Sequence, residues 1–262
     1  MSDRKHHTRD VIQIKGPDAQ NEERSIVQEV PLTVFLNGKE LITLLTTGDA
    51  NGELAVGFLL SEGFLQNKED LKSIRVDDEA GTVEIELSGD LDLTEKLWGK
   101  RTVTSGCGKG ATFYHVLDSI QAKPVTSELT VSPGQVYGLM KELNRLSDLY
   151  RETRGVHNSA LADGEEVLVF RDDIGRHNAV DKIRGACFLE DIPLGDKSLV
   201  TTGRMSSEIV VKVAKMGVPI LISRSAPTSL ALDLAERIGL TLIGYVRGNK
   251  MTVYTGAQRV LL

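Results

Sequence analysis

Apolar and polar residues in the first half of the chain alternate in the way that half-buried β-strands require. Two such runs, Val30 to Leu36 and Glu40 to Leu45, are joined at Asn37-Gly38. This dipeptide strongly favours a two-residue hairpin turn. The same half of the chain contains three further predicted elements, which are a helix at residues 53–62 that ends at Gly63 and strands at residues 74–76 and 83–87.

Residues 1–25 do not follow this pattern, because they are polar and charged and show no periodicity. We expect a mobile tail there. The next strong signal is a helix start, with Ser132 as the cap, Pro133 in the first turn and Gln135 completing a capping box. We place the boundary between a β-rich α+β domain (residues 26–125) and a second domain (residues 126–262) just before this helix.

Beyond that helix, short apolar strands alternate with helices. This order predicts right-handed crossovers and an α/β fold with a mostly parallel sheet. Ligands of such sheets bind beyond the carboxyl ends of the strands, so the loops at that edge are the places to look for a site. The predicted strands are residues 167–170, 198–201, 219–222, 240–245 and 251–254, and the predicted helices are residues 178–189, 206–216 and 230–238.

Composition narrows the possible functions. The chain has 262 residues and a net charge of −6, which disfavours a nucleic-acid binder or a membrane-surface protein but leaves room for one basic pocket. No apolar run is long enough to span a bilayer, and the N-terminus lacks the apolar core of a secretory signal. Only two cysteines, Cys107 and Cys187, are present, so we expect no disulfide framework and a cytoplasmic location.

One glycine-rich loop has the features of a reactive thiol site. In residues 104–110, Cys107 lies between Gly106 and Gly108, and Lys109 would favour its thiolate form. The alternative is a small apolar side chain in a tight turn. A cysteine among glycines has few apolar neighbours, so the reactive interpretation is favoured. Cys187 lies on an apolar helix face, and we interpret it as a packing residue.

Three other loops carry polar groups at the ends of predicted strands. Residues 172–182 hold carboxylates, an imidazole, an amide and a guanidinium at a helix start, where free N–H groups would bind an anion. Residues 201–208 offer hydroxyls and Arg204 for a phosphate but lack the spacing of a Walker loop. Residues 245–250 place Arg247 and Lys250 beside a turn. Each loop has an alternative interpretation without a ligand. For residues 172–182 it is a capped helix on a solvated face, for residues 201–208 an N-cap at Ser206 beside a solvated Arg204, and for residues 245–250 a plain hairpin.

The histidines give weaker signals. His157 alone is as well explained by a hydrogen-bonded core position as by catalysis. The other four, His6, His7, His115 and His177, do not combine with the cysteines into a metal-binding spacing. No resident metal is therefore expected.

Several of these segments together resemble the formate dehydrogenase accessory sulfurtransferase family. The matching stretches are Glu53 to Gly63, Ser105-Gly106-Cys107-Gly108, Asp173 to Lys182, Gly203 to Glu208 and Ser225 to Thr228. They follow the family's order from about residue 27 to the C-terminus, and the second and third of these stretches are the most distinctive.

The resemblance implies a function and a fold. The family passes sulfur from a cysteine desulfurase to the molybdenum bis-guanine-dinucleotide cofactor of formate dehydrogenase, as a persulfide on the loop cysteine, which here is Cys107. It implies a C-terminal three-layer domain similar to cytidine deaminases and a homodimer. The expected partners are the desulfurase, the formate dehydrogenase catalytic subunit and the guanine nucleotide, and the family's cofactor-binding stretch falls on Tyr245, Val246, Arg247, Gly248, Asn249 and Lys250.

Two departures limit what can be carried over. The family usually has C-x-x-C in the loop, but Gly110 occupies the second position, so a relay between two loop thiols is not available. A cofactor-binding chaperone without covalent sulfur therefore stays open as the alternative. The deaminase zinc motifs correspond to His177-Asn178-Ala179 and to residues 203–207, which lack the acid and the cysteine ligands, so zinc-dependent deamination is not expected.

The parallel-sheet interpretation brings these loops together into one predicted anion pocket. A guanine dinucleotide needs cationic and amide donors for its phosphates and an acceptor for the guanine edge. We therefore expect GDP to bind there more tightly than ADP. The residues expected to form this pocket, besides residues 245–250, are Gly203, Arg204, Ser206, Asp173 and His177.

Overall fold

The structure, a computed structural model, describes residues 5–88 and 124–262. Cys107, Gly110 and the rest of the glycine-rich loop lie outside the described residues.

The first unit is a four-stranded sheet covered by one helix. Asn37 and Gly38 have φ angles of 49° and 75°, and these positive values make the tight turn of the predicted hairpin. The elements of this unit are β3 (Val30–Leu36), β4 (Lys39–Thr46), α1 (Asn51–Glu62), β5 (Leu71–Asp77) and β6 (Thr82–Leu87), in agreement with the pattern predicted from the sequence. The sheet has the order β4-β3-β6-β5, with β3 and β6 parallel.

The second unit is a six-stranded sheet with helices on both faces. Its strands are β7 (His157–Asp163), β8 (Glu166–Asp173), β9 (Ser198–Thr201), β10 (Ile220–Ser223), β11 (Thr241–Arg247) and β12 (Lys250–Thr255). Across the sheet they lie in the order β12-β11-β10-β9-β7-β8. Its helices are α2 (Pro133–Leu146), α3 (Asp148–Thr153), α4 (Arg176–Leu189), α5 (Ser207–Met216) and α6 (Ser229–Ile238).

Two buried clusters separate the layers of this unit. On one face, α4, α5 and α6 pack against the sheet around Leu161, Leu199 and Leu221. On the other face, α2 packs against Ala160, Val200 and neighbouring side chains. Adjacent residues of each strand thus point into different cores, as the period of two in a strand requires.

The sheet is mixed rather than mostly parallel. β9, β10 and β11 pair in parallel, but β7 pairs antiparallel with both β8 and β9, and β12 is antiparallel to β11. The sequence analysis missed β7 because its segment, HNSALAD, lacks the β-branched and aromatic residues that favour strands. Burial on both faces, which a single segment of sequence does not reveal, holds it in the sheet.

Residues 6–27 form a hairpin where the sequence predicted a tail without regular structure. β1 (His6–Lys15) and β2 (Asp18–Val27) pair antiparallel over ten residue pairs. Backbone hydrogen bonds hold the two strands together, and neither face of the hairpin covers a full core. Apolar and polar side chains therefore need not alternate along the strands, and Ile12 and Ile14 are 67% and 70% exposed. The hairpin is attached at its base, where Lys5 Nζ lies 2.7 Å from a carboxylate oxygen of Asp49.

The two units meet where α1 crosses α4. A Cβ atom added to Gly57 would lie 1.8 Å from the carbonyl oxygen of Asp181, and one added to Gly185 would lie 1.9 Å from that of Glu53. The two glycines thus let each helix contact the backbone of the other. Within the described ranges, none of the helices is long and apolar enough to cross a membrane.

Candidate functional site

A pocket of about 360 Å³ lies at the edge of the six-stranded sheet where most strands end. Ile174 follows β8, Thr202 follows β9, Arg224 follows β10, and Arg247 ends β11, while His157 begins the antiparallel β7. We call this the anion pocket; its lining is Tyr150, Arg154, Gly155, Val156, His157, Ile174, Thr202, Arg224, Ser225 and Arg247. Ligands of such sheets commonly bind at this position, beyond the carboxyl ends of the strands.

Hydrogen bonds between neighbouring loops fix the wall of the pocket. The backbone N–H of Thr202 donates to the carbonyl of Asn158 at 3.0 Å, and the N–H of Asn158 donates to the Thr202 hydroxyl at 3.0 Å. Further along the edge, the N–H of Arg224 donates to the carbonyl of Thr201, and that of Tyr245 to the carbonyl of Ser225, both at 3.1 Å. The loops therefore form a connected frame in which polar side chains are held in place.

The pocket is basic although the chain is acidic. Three arginines line it, and none of the described residues in its lining is a carboxylate. Two of these arginines stack on tyrosines: the Arg154 guanidinium carbon lies 5.2 Å from the ring centroid of Tyr150, and that of Arg247 lies 5.1 Å from the ring centroid of Tyr245. Guanidinium groups suit phosphates and carboxylates, and exposed aromatic faces suit planar rings.

Two histidines near the pocket are held in the neutral form. Burial, together with the Arg176 guanidinium, lowers the pKa of His157, while the Asp173 carboxylate acts against them. Its Nδ1 lies 3.5 Å from the Thr202 hydroxyl. Burial and the nearby Lys212 and Arg176 lower the pKa of His177 to about 3. At neutral pH, His157 can therefore accept or donate a hydrogen bond without adding charge.

The structure separates the predicted site residues into two groups. Arg247 lines the pocket, and Tyr245 stands beside it with a φ of 54°, a left-handed conformation that is uncommon for a residue with a side chain. Gly248 and Asn249 form the exposed turn that follows, and Lys250, also exposed, begins β12, whereas Val246 is buried in the core below α2.

The predicted site residues that follow Thr202 lie outside the pocket lining. Arg204 is exposed, Gly203 packs against the side chain of Arg176, and Ser206 is buried at the N-cap of α5. His177 Nε2 lies 3.2 Å from the Glu208 carboxylate instead of lining the pocket.

Asp173 is fully buried, and both of its carboxylate oxygens are already hydrogen-bonded within the chain. One oxygen accepts from the Thr46 hydroxyl at 2.6 Å, and the other accepts from the N–H of Gly175 and the amide of Asn178, each at 2.9 Å. The predicted acceptor for a guanine edge is thus engaged in holding the turn between β8 and α4.

The sequence analysis did not select several residues that line the pocket. Arg224 follows a predicted strand, so the rule about strand ends could have found it. Tyr150 and Arg154 carried no such signal, because Tyr150 lies in the short helix α3 and Arg154 caps its end, and this helix leads into the unrecognised strand β7. Among residues 5–88 and 124–262, no group of three His, Cys, Asp or Glu side chains is placed to hold a metal ion.

A cluster of buried charges lies behind the pocket, where the two units meet. Lys182 is fully buried, and its Nζ lies 2.8 Å from Asp173 and 3.0 Å from Asp49. Burial alone would raise the pKa of Asp49, but the ammonium groups of Lys182 and Lys5 lower it to about 2.

This pKa makes stability depend on pH in a defined direction. In the unfolded chain Asp49 has an ordinary pKa of 3.8, so its contribution is fully present above pH 4 and is lost as the pH falls towards about 2. At 1.36 kcal/mol for each pH unit, this amounts to about 2 kcal/mol. Urea unfolding at pH 4 and pH 2 should show a loss for wild type that is about 2 kcal/mol larger than for Asp49→Asn, and equal losses would contradict the assignment.

Comparisons with known proteins agree on one family. A sequence model of the FdhD/NarQ family matches residues 27–261. The chain is 42% identical over 260 residues to the sulfur carrier protein FdhD of Bacillus subtilis (strain 168), covering 99% of each chain. It is 44% identical over 235 residues to the sulfur carrier protein FdhD of Bacillus pumilus (strain SAFR-032), covering 90% of each.

A solved structure gives the same result for the fold. The crystal structure of a protein assigned as a formate dehydrogenase accessory protein from Desulfotalea psychrophila superposes with a TM-score of 0.81. The two sequences are 25% identical, and the match covers 98% of this chain and 100% of that one. The chain therefore belongs to the FdhD/NarQ family.

Proposed function

We propose that this protein is a sulfur carrier that takes persulfide sulfur from a cysteine desulfurase and passes it to the molybdenum bis-guanine-dinucleotide cofactor of formate dehydrogenase, which it binds as a substrate. The observation that carries the proposal is the basic pocket flanked by tyrosines, in a chain whose relatives are named sulfur carrier proteins. The family membership supports the sulfur chemistry, and the pocket supports the anionic, partly planar cargo.

Loading would proceed by thiol exchange on Cys107. The Cys107 thiolate attacks the outer sulfur of the desulfurase persulfide, a bond forms between the two sulfurs, and the donor's sulfur–sulfur bond breaks. The desulfurase cysteine leaves as a thiolate, and Cys107 carries the persulfide. The exchange needs no external oxidant or reductant, because one sulfur–sulfur bond replaces another.

The pocket offers groups of the kind that one half of a guanine dinucleotide would need. Arg154, Arg224 and Arg247 supply charged donors for phosphates, and Tyr150 and Tyr245 supply faces for a planar ring.

Arg224→Ala should weaken GDP binding by about tenfold or more, because a hydrogen bond to a charged group contributes roughly 1.5–3 kcal/mol. Titration calorimetry with GDP and ADP checks this, and wild type should prefer GDP. Arg204→Ala is the matched control, since it removes the same charge from an exposed position outside the pocket lining. A loss in Arg204→Ala that equals the loss in Arg224→Ala would place the nucleotide elsewhere.

The second candidate is a chaperone that holds the cofactor without carrying sulfur. The observation that favours it is Gly110, which stands where the family usually has a second loop thiol. Cys187 does not replace that thiol, because it is 1% exposed and burial raises its pKa to about 12. Sulfur loading separates the two candidates, since only a carrier takes up sulfur on Cys107.

We also propose that residues 126–262 form a deaminase-like domain that has lost its zinc chemistry. The support is the six-stranded sheet between α2 on one face and α4, α5 and α6 on the other. The starts of α4 and α5, where the deaminase motifs would fall, carry His177 and Ser206 without cysteine ligands.

A further inference from the structure

Among the described residues, the largest fully buried side chain is a charged one that lies between the two units, and packing alone does not explain it. Lys182 is fully buried on α4, where a charge is costly unless it is paired. Its Nζ donates to the Thr47 hydroxyl at 2.9 Å and to the Asp172 carbonyl at 3.1 Å. With the carboxylates of Asp49 and Asp173, it therefore has partners from both units.

Asp173 transmits this arrangement to the first unit. The carboxylate oxygen that contacts Lys182 also accepts from the Thr46 hydroxyl at 2.6 Å and from the N–H of Thr47 at 3.3 Å. Thr46 ends β4, so the end of a strand of the four-stranded sheet fixes the position of this carboxylate by hydrogen bonds. The other oxygen fixes Gly175, the N-cap of α4.

The same turn forms part of the pocket wall. Asp173 pairs with His157 across the β7–β8 ladder, and the next residue, Ile174, lines the pocket. Arg176 follows, and its side chain packs against Gly203 in the loop after β9. A displacement of the Asp173 carboxylate would therefore move two residues of the pocket lining, His157 and Ile174, together with Arg176 next to them.

We propose that Lys182 is a positioning residue for the anion pocket: held by Asp49 and Thr47 of the first unit, it fixes Asp173 and thereby the placement of His157, Ile174 and Arg176. Lys182 itself does not line the pocket. The inference rests on the proposed nucleotide-binding role of that pocket, and it makes cargo binding dependent on the contact between the two units.

The test compares Lys182→Met with Lys197→Met. Both changes remove a lysine charge from a buried position, but Lys197 pairs with Asp163 and Asp196 at the opposite edge of the sheet. We expect Lys182→Met to weaken GDP binding by about tenfold, and Lys197→Met to leave it within about twofold. Circular dichroism at the assay temperature selects the variants that are folded.

Histidine titration by NMR adds a readout that needs no ligand and that a change in stability alone does not move. In Lys182→Met the pKa of His157 should rise towards its ordinary value, because Asp173 loses its positive partner. It should stay unchanged in Lys197→Met. Should Lys182→Met fail to fold, Thr47→Val keeps every charge and removes the hydroxyl that accepts from Lys182 and donates to Asp49 and Asp173. The weaker GDP binding and the rise in the His157 pKa are then expected with smaller size.

The outcomes separate the two proposals. Unchanged GDP affinity and unchanged His157 titration in a folded Lys182→Met, or in Thr47→Val where it replaces that variant, overturn the positioning role. Equal losses in Lys182→Met and Lys197→Met overturn it as well. If wild type binds no GDP, the nucleotide role of the pocket fails, and the His157 titration of Thr47→Val, which keeps every charge, then decides whether the Lys182 network positions the pocket wall.

Discussion

Gly57→Ala is expected to lower the free energy of unfolding by about 3 kcal/mol or more, because the added methyl group has no space. Its Cβ would lie 1.8 Å from the carbonyl oxygen of Asp181 and 2.6 Å from that residue's carbonyl carbon. Backbone atoms cannot rotate away, so α1 and α4 must separate, and overpacking of a core commonly costs 1–3 kcal/mol even where side chains can adjust. Gly185→Ala should be similarly severe at 1.9 Å from Glu53.

The control is Gly138→Ala in α2. This helical glycine has no atom within 4 Å of its would-be Cβ, so alanine should stabilise the protein by about 0.5–1 kcal/mol through its better helix propensity. Urea unfolding of the three variants checks the contrast. Gly57→Ala and Gly138→Ala with the same stability would mean that the crossing of α1 and α4 is looser than described.

Local chemistry made much of the fold predictable. The Asn37-Gly38 turn has the positive φ angles that its residues favour, and Gly63, Gly217 and Gly239 end helices in the left-handed conformation. The capping box predicted at Ser132 and Gln135 is present in both directions. The residues that specify each of these turns and helix ends lie within four positions of it in the sequence.

Elements specified by distant contacts could not be predicted in the same way. β7 is buried by α2 on one face and α4 on the other, which lie outside its own segment, and β1 and β2 are paired through their backbones. Neither β7 nor this hairpin therefore leaves a periodic pattern. For the site, Arg247 followed from a strand end, but Tyr150 and Arg154 depend on how α3 approaches the sheet. Asp173 was identified as a site residue from its type, while its role in holding the turn depends on Thr46 and Lys182, which are 127 and 9 positions away.

Cys107→Ala is expected to abolish sulfur uptake completely, because the described part of the chain offers no substitute thiol. Cys187 is packed in the core with Leu161 and Val180, and at neutral pH a thiol with a pKa near 12 is almost entirely protonated and a poor nucleophile. Cys187→Ala should therefore keep full uptake and cost about 1 kcal/mol of stability, as small core truncations do.

The most direct test of the carrier function is sulfur loading of the intact protein with a cysteine desulfurase and ³⁵S-labelled cysteine. Wild type and Cys187→Ala should each retain about one labelled sulfur per chain, which a thiol reductant releases, and Cys107→Ala should retain none. Label that is absent from wild type would contradict the account and leave the non-covalent chaperone as the better description, whereas label that persists in Cys107→Ala would contradict it by placing the sulfur on another residue.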